Sequence, residues 1–478
     1  QDVSMDYVGA EGQLSMIPNF FTLHNVDLGA NNSRIKQDGW KEQTQSVFAS
    51  AELGWKSMIY LSATARNDWS SALVNTPNSS FFYPSVGLSG VITEMVKLPK
   101  WLTFWKMRAS YSSVGNAPSR YLTIPTFGYS SSGEFETNTH MPVPELHPER
   151  TKSFEIGTNA KLFDGHVGLD FTYYKSNTYN QTFEAKASAS SGYSTFYIQA
   201  GDIANWGIEA MVSYENKFGD LNWNSQLTFS MNRNEIKELV RDYPDPLSGE
   251  LLNIPSLEVS KFGTYRMILE EGGSMGDIYV TSRLRQDGSG FIYVDPDTNQ
   301  LQTVEDLQKV GNANPDFNLG FRNNLSWKGF NLGFLLTARI GGEVMSATQA
   351  ILDKYGVSEA SAIARDNGGV TVNFGKLDPQ YFYEYIGGGD TGMLSNYVYS
   401  ATNVRLQELT LGYNLPKKWF NDKLNMTVSL IGRNLWMIYN KAPFDPESIA
   451  FTGTYFQGLD YFMQPSLRNV GFSVRMQF

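Results

Sequence analysis

The sequence predicts an all-β fold, a transmembrane antiparallel β-barrel. Three observations carry the prediction. Apolar and polar residues alternate through many segments of about eleven residues, the length a tilted strand needs to cross a bilayer. Reversals between these segments are short at one end and long at the other. No run of roughly eighteen apolar residues occurs, so no helix can span in their place.

The segment Ser466 to Phe478 states the pattern most plainly. Val470, Phe472, Val474, Met476 and Phe478 share one parity, and Asn469, Gly471, Ser473, Arg475 and Gln477 share the other. Successive side chains of a strand point to opposite faces, so one face is apolar and one polar. A single such strand would suit a soluble sandwich equally well, and the rest of the chain decides.

Composition narrows the choice. The 478 residues include 26 Tyr, 30 Phe and 10 Trp, suited to strands and aromatic girdles and equally to sugar or peptide contacts. Cysteine is absent, which excludes disulfides, thiolate metal sites and a cysteine nucleophile. A net charge of −10 disfavours a nucleic-acid partner, which needs a basic face. Gln1 to Gly9 has no basic-then-apolar leader, so an export signal is expected to have been removed or to lie outside the chain.

Taken in order, Gln1 to Lys41 is irregular, with Asn31-Asn32-Ser33 as turn residues, and reads as loop. Val47, Ala49, Ala51, Leu53 and Trp55 then alternate, the chain reverses near Gly54 to Lys56, and a strand runs on through Ile59 and Leu61 to Asp68. Phe81 to Ile92 returns, Pro99 turns, and Phe104 to Val114 leaves again. Phe154 to Leu162 and Val167 to Tyr173 flank Asp164-Gly165, the turn chemistry that hairpins prefer. Ile208 to Phe218 and Leu221 to Met231 flank Gly219-Asp220. Here Asn222, Asn224, Gln226, Thr228 and Ser230 form a face that belongs against water, because a dry core would leave them unpaired. Phe317 to Trp327 and Leu332 to Ile340 flank Lys328-Gly329. Asn403 to Asn414 slips parity near Gln407-Glu408, which reads as a bulge. Pro416 to Lys423 turns into Leu424 to Leu430.

Long loops are expected at about 69–80, 116–150, 181–202, 236–314, 342–401 and 440–465, with a small hairpin near Phe291 to Val294. Short turns at one end and long loops at the other mark an outer-membrane barrel, with the short side periplasmic. A sandwich would scatter its loop lengths between both ends. The count is about thirteen strands, an odd number where single-chain bacterial barrels are usually even. An open edge in lipid costs several kcal/mol per unpaired group. The chain is therefore expected to be the C-terminal part of a larger barrel, with strands missing before Gln1.

Several stretches together resemble the SusC/RagA family of TonB-dependent outer-membrane transporters. They are ARNDWSSAL at Ala65 to Leu73, FFYPSVGLS at Phe81 to Ser89 and KMRASYSSVGN at Lys106 to Asn116. HPERTKSFEIGTNAKLF at His147 to Phe163 and GNANPDFNLGF at Gly311 to Phe321 follow. NVRLQELTLGYNLPKKW at Asn403 to Trp419, GRNLW at Gly432 to Trp436 and FDPES at Phe444 to Ser448 complete the set. The resemblance implies a barrel of about 22 strands around an N-terminal plug. It also implies a TonB box that couples uptake to the inner membrane. The implied partner is a SusD-like surface lipoprotein acting as a lid over oligosaccharides or, in some members, peptides. This sequence departs from the pattern in lacking the plug domain, the TonB box and the first strands.

The implied function is import without chemistry on the cargo: outer-membrane uptake of oligosaccharides, or of oligopeptides on the same fold. A barrel that binds at the surface without transport is the third reading. The expected setting is the outer membrane, in contact with its lipid and with the C-terminus periplasmic. TonB would act through the missing N-terminal region, and a dimer of transporter–lid pairs is a further expectation. No enzyme activity, metal or cofactor is expected. The four histidines, His24, His140, His147 and His166, form no HExxH, and no GxSxG elbow occurs.

Candidate cargo contacts are loop aromatics and polar groups: Tyr381, Tyr383, Tyr385, Asp390 and Asn396 in one loop, Tyr193 and Tyr197 in another. Aromatic faces stack on sugar rings while amides and carboxylates bond hydroxyls. The same residue types also pack loops together or face a partner protein, which leaves that alternative open. Trp69, Trp223, Trp436 and Phe478 are candidates for the membrane interface, where aromatics concentrate. Asp295, Asp297 and Asn299 open like a calcium loop, but Gln300 replaces the required Gly and Asp306 the final Glu, so a polar hairpin turn is the better reading. Gly387-Gly388-Gly389-Asp390 lacks the strand–helix context of a phosphate cradle and reads as loop. Glu149-Arg150 reads as a surface ion pair of little energetic weight.

Overall fold

The computed structural model describes residues 1–478 except 31–32, 125–127, 130–134, 137–139, 144, 187–192, 194, 246–248, 389–391, 422, 452, 454 and 478. Alternation along the chain builds one large antiparallel sheet whose strands follow sequence order. They are β1 (Asp2–Glu11), β2 (Arg34–Trp55), β3 (Ile59–Ser70), β4 (Ser80–Val91), β5 (Leu102–Asn116), β6 (Glu149–Leu162) and β7 (Val167–Lys186). The rest are β8 (Thr195–Phe218), β9 (Leu221–Glu238), β10 (Phe317–Trp327), β11 (Phe330–Ile340), β12 (Asn403–Asn414), β13 (Asn425–Asn440) and β14 (Asn469–Gln477). Among the described residues the sheet is open, with β1 and β14 at its edges.

The short turns have the backbone that hairpins require. Lys56 and Ser57, Phe163 to Gly165, Gly219, and Lys328-Gly329 all take positive φ, which matches the twist of the flanking strands. The bulge expected near Gln407 is present. Leu335 pairs with Glu408 and Leu336 with Leu406, so Gln407 is left over.

Register places like residues side by side. Leu61, Leu88, Ala109, Ile156, Tyr173, Ile208 and Met231 form one row across seven strands. Leu325, Leu332, Leu411, Leu430 and Phe472 form another. These rows are not a core: Leu430 is 60% exposed and Phe472 78%. On the opposite face runs Ser89, Arg108, Gly157, Thr172, Glu209, Ser230, Asn318, Arg339 and Asn403. Arg108 there reaches Asp170 at 3.0 Å and Glu155 at 3.7 Å. Polar side chains thus satisfy one another on the face that alternation assigns to water.

Three sequence expectations need correction. Gln1 to Lys41 is not loop: β1 pairs residue for residue with 34–43. Val3, Met5 and Tyr7 do alternate, but the pattern breaks at Val8-Gly9. Among the described residues the path along the sheet therefore counts fourteen strands, β1 being the one added to the expected thirteen, and the two-residue strand His140–Met141 pairs off it as a fifteenth. Nor are the strands near eleven residues throughout, since β8 has 24 and β2 has 22. The excess runs on past the apolar rows, into what read as the loop 181–202. There Phe196 and Ile198 bury against Phe183, Ile236 and Leu239, so that face covers a loop core rather than continuing the exposed apolar rows.

The loop expected at 236–314 is largely ordered too. It holds a four-stranded antiparallel sheet, Ser256–Phe262, Tyr265–Glu270, Asp277–Leu284 and Thr303–Asn312. The hairpin expected near Phe291 to Val294 is only two bridges, Gln286 with Ile292 and Val294 with Leu301. The loop expected at 342–401 supplies α1 (Ala347–Lys354), α2 (Glu359–Asp366) and α3 (Pro379–Ile386). Ser346, Ser358 and Asp378 cap their first turns by accepting from backbone N–H groups. Sheet and helices close a module over Tyr265, Met267, Ile278, Met345, Leu394 and Tyr397, all essentially buried.

Candidate functional site

The long-loop end of the sheet carries two clefts and one buried ion cluster. The first cleft, about 410 Å³, lies where β8 runs beyond the apolar rows. Tyr197, Phe196, Gln199, His147, Tyr243 and Asn180 line it. A two-residue strand, His140–Met141, runs parallel to Thr195 and Phe196 and forms one wall. His140 is bonded to the Thr195 hydroxyl, and its ring sits 5.4 Å from that of Tyr197. The Gln199 amide holds the opposite wall, donating to the His147 carbonyl at 2.6 Å and accepting from its N–H at 2.5 Å. Burial raises the Tyr243 phenol, so it stays a neutral donor. An aromatic wall beside fixed amide and hydroxyl groups suits a sugar ring or an extended peptide.

The second cleft, about 350 Å³, lies between the three helices, and Tyr383 lines it with Asp353, Lys354, Ser361, Arg365, Gln380 and Glu384. Helix α3 starts with Pro379 at its first turn and turns Phe382 and Ile386 into the module core. Tyr381 and Tyr385 are half-buried against that core with their rings 6.2 Å apart, and the Tyr381 hydroxyl accepts from the Leu301 N–H at 3.3 Å. Burial raises the Tyr383 and Tyr385 phenols and pushes Tyr399 up to about 12. Gly387, the first of the glycine run, closes this helix, and Gly389 and Asp390 lie outside the described residues. Gly387 donates to the Tyr383 carbonyl at 2.9 Å, and a Cβ there would stand 2.3 Å from the Ala350 carbonyl of α1.

The predicted cargo residues are therefore spread rather than convergent. Tyr197 lines one cleft and Tyr383 the other, while Tyr381 and Tyr385 pack. Asn396 is exposed on a short 3-10 turn, donating to the Met393 carbonyl at 3.2 Å. Tyr193 is half-buried, and Asp390 lies outside the described residues. Among the interface candidates, Trp69 and Trp436 are 41% and 60% exposed. Trp223 is half-buried, edge-on to Tyr214, and donates to the Asn323 side chain at 3.0 Å. Phe478 lies outside the described residues.

Asp295 makes the hairpin turn that its neighbours suggested. Its carboxylate accepts from the N–H groups of Asp297 at 2.9 Å and Thr298 at 3.1 Å, which lowers its pKa. Among the described residues, Glu149 and Arg150 each reach backbone and no surface ion pair of theirs is found. Glu149 accepts from the Thr182 N–H and Arg150 donates to the Phe82 carbonyl.

The ion cluster is what residue-by-residue reading missed. Arg405, 3% exposed, contacts Asp445 at 2.6 Å and Glu447 at 3.3 Å, and its Nε donates to Asn403 at 2.9 Å. Ser466 closes the far side, donating to Asp445 at 2.6 Å. Burial pushes the Asp445 carboxyl up, but bonds from Arg405, Ser466 and the Glu447 N–H outweigh it and leave the pKa lowered. The stretches NVRLQ and FDPES, far apart in sequence, are thus two halves of one salt bridge. The opposite charges inside them were the available signal.

Comparison with known proteins fits this architecture. Residues 4–342 match the family model described as TonB dependent receptor-like, beta-barrel. TonB-dependent receptor P3 of Formosa agariphila is 27% identical over 501 residues, covering 98% of this chain and 49% of that protein. TonB-dependent receptor P26 of the same organism is 26% identical, covering 100% and 50%. The chain thus spans about half the length of the curated relatives it matches. Among solved structures, the RagAB peptide transporter superposes with a TM-score of 0.72 at 19% identity, over 99% of this chain and 51% of that one. The RagAB peptide importer in its open-open state gives 0.74 at 20%, again over 99% and 51%. At that identity the likeness shows fold alone. The apolar rows facing outward, the ion-paired polar face and the family match lead to one conclusion: the chain belongs to the TonB-dependent receptor β-barrel family, whose members are outer-membrane transporters and not enzymes.

Proposed function

We propose that this chain forms the C-terminal barrel portion of a SusC-like active importer of oligosaccharides. In this reading a SusD-like lipoprotein lid captures cargo over the long-loop end, and TonB drives uptake through a segment N-terminal to Gln1. The short turns and the C-terminus face the periplasm, and transporter–lid pairs associate as dimers. The observation that carries the reading is the pairing of a polar sheet face with aromatic-lined clefts at its long-loop end. Cargo met at the Tyr197 and Tyr383 clefts would pass down a wetted face on which charges such as Arg108 and Asp170 are already paired, which keeps it from binding tightly at those steps.

Peptide cargo is the second reading. RagAB, a peptide importer, shares the fold, and the wall strand His140–Met141 beside β8 supports it by offering backbone groups to an extended chain. Calorimetry of the full-length transporter with its lid, against a glycan panel and a peptide panel, separates the two. Binding to glycans alone supports the first reading and binding to peptides alone the second. Binding to neither overturns both in favour of a non-transporting surface barrel, a reading that a plug and TonB box in the same open reading frame would in turn eliminate.

A further inference from the structure

Beside the ion cluster, where β11 ends, lies a cavity of about 230 Å³ that neither cleft includes. Ala313 to Pro315, Arg339, Glu343, Phe451 and Gln457-Gly458 line it. Arg339 is the only fixed cation among these lining residues. Its Nη2 donates to the Ala313 carbonyl at 2.5 Å, while its Nε is shut off from solvent and meets no acceptor among the described residues. A guanidinium with an idle, desolvated N–H is costly to keep.

The nearby acids make no hydrogen bond or ion pair with it among the described residues, although Glu447 is close enough to attract its charge. Asp445 is taken by Arg405 and Ser466, and Glu447 by Arg405 and Asn403. Glu343, on the cavity wall, has its pKa raised by burial against the pull of Lys441, and it forms no ion pair with Arg339 among the described residues. The backbone itself passes close to Arg339, which glycine permits. Gly341 and Gly342 both take positive φ, and a Cβ on Gly342 would stand 3.2 Å from the Arg339 Nη2. The planar guanidinium fork matches a carboxylate or a phosphate, and the carboxylate is the smaller of the two. The volume suits an end group, being below that of a typical pocket for a whole small ligand.

We propose that this cavity is a subsite for a carboxylate carried by the cargo, with Arg339 as its donor. The proposal rests on the import reading for the identity of its ligand. Two cargo classes present that chemistry, a uronic acid on a glycan and the free C-terminus of a peptide.

The test uses the full-length transporter with its lid and two matched probe pairs: oligogalacturonate with its methyl ester, and an oligopeptide pool with free or amidated C-termini. Calorimetry is expected to show the acid member of one pair binding about tenfold or more tighter than its capped partner. Arg339→Gln should abolish that preference and leave the capped probe unaffected. Arg339→Lys, which keeps the charge without the fork, should restore only part of it and guards against a folding defect in the first variant. Equal affinity for acid and capped probes, or a preference that survives Arg339→Gln, overturns the subsite and leaves import standing. Failure of every probe to bind the unmodified transporter overturns the import reading and the subsite together. The pair that shows the preference names the source of the carboxylate.

Discussion

The sheet and the module solve opposite solvation problems with the same residue types. In the module, Met267 and Leu394 are fully buried, and the buried carboxylate of Asp277 is bonded to Lys309. In the sheet, Leu430 and Phe472 face out while Arg108, Asp170 and Glu155 pair on the other side. A hydrophobic side chain hidden inside one region is displayed by the other. The module therefore obeys the rules of a water-soluble domain, and the sheet those of a wall between lipid and water.

The sharpest way to break this comparison is at the joint between the two regions. Arg405→Met strands Asp445 as a buried, unpaired carboxylate and should cost about 3–5 kcal/mol. Hydrogen exchange should report it as lost protection over 440–465. Slightly smaller, Met267→Ala in the module should cost about 2–5 kcal/mol in denaturant unfolding, because it leaves a cavity. Leu430→Ala in the sheet should cost far less in detergent, since solvent chains fill the gap. Equal losses would mean that the sheet has a protein core after all. Leu430→Arg should cost about 2–4 kcal/mol if the residue sits near the bilayer midplane, read as the shift in a folding titration into vesicles.

The smallest effect is in pH. The folded pKa of Asp445 is lowered, so its contribution is present above the unfolded value near about 4 and is lost as pH falls through the folded value. Glu343 has the opposite sign: its pKa is raised, so its contribution is fullest at low pH and is lost as pH rises through the folded value. Acidification should therefore loosen 440–465 while leaving the 343–346 strand in place, and exchange measured at two pH values checks both.

Legibility in the sequence followed solvation. Where a strand divides lipid from water, as in β10 and β14, alternation marked it almost to the residue. In β1, where nearly every residue is exposed, alternation breaks at Val8-Gly9 and the strand read as loop. In 195–202, Phe196 and Ile198 do alternate, but they bury against loop segments that no single window shows. The module was hidden in the same way. Its core is assembled from segments around 265, 345 and 394, so no single window carries the pattern. The candidate site fared likewise. Tyr197 and Tyr383 were visible as aromatics, but their separation into two clefts depends on helix packing that only Gly387 hinted at. Arg339 carries no mark in sequence at all, since an unpaired guanidinium is defined by what its neighbours are already holding.

Strand β8 also bears on mechanics. Its 24 residues make a continuous ribbon about 80 Å long, anchored at the far end by the Gly219 turn and flanked on both sides by hydrogen-bonded neighbours. A tug along its axis loads many ladder bonds together in shear, whereas a sideways pull would open them one after another. Displacement of the rim is thus passed on as by a stiff beam, and the register slip at Asp202/Ile203 is where that beam would yield first.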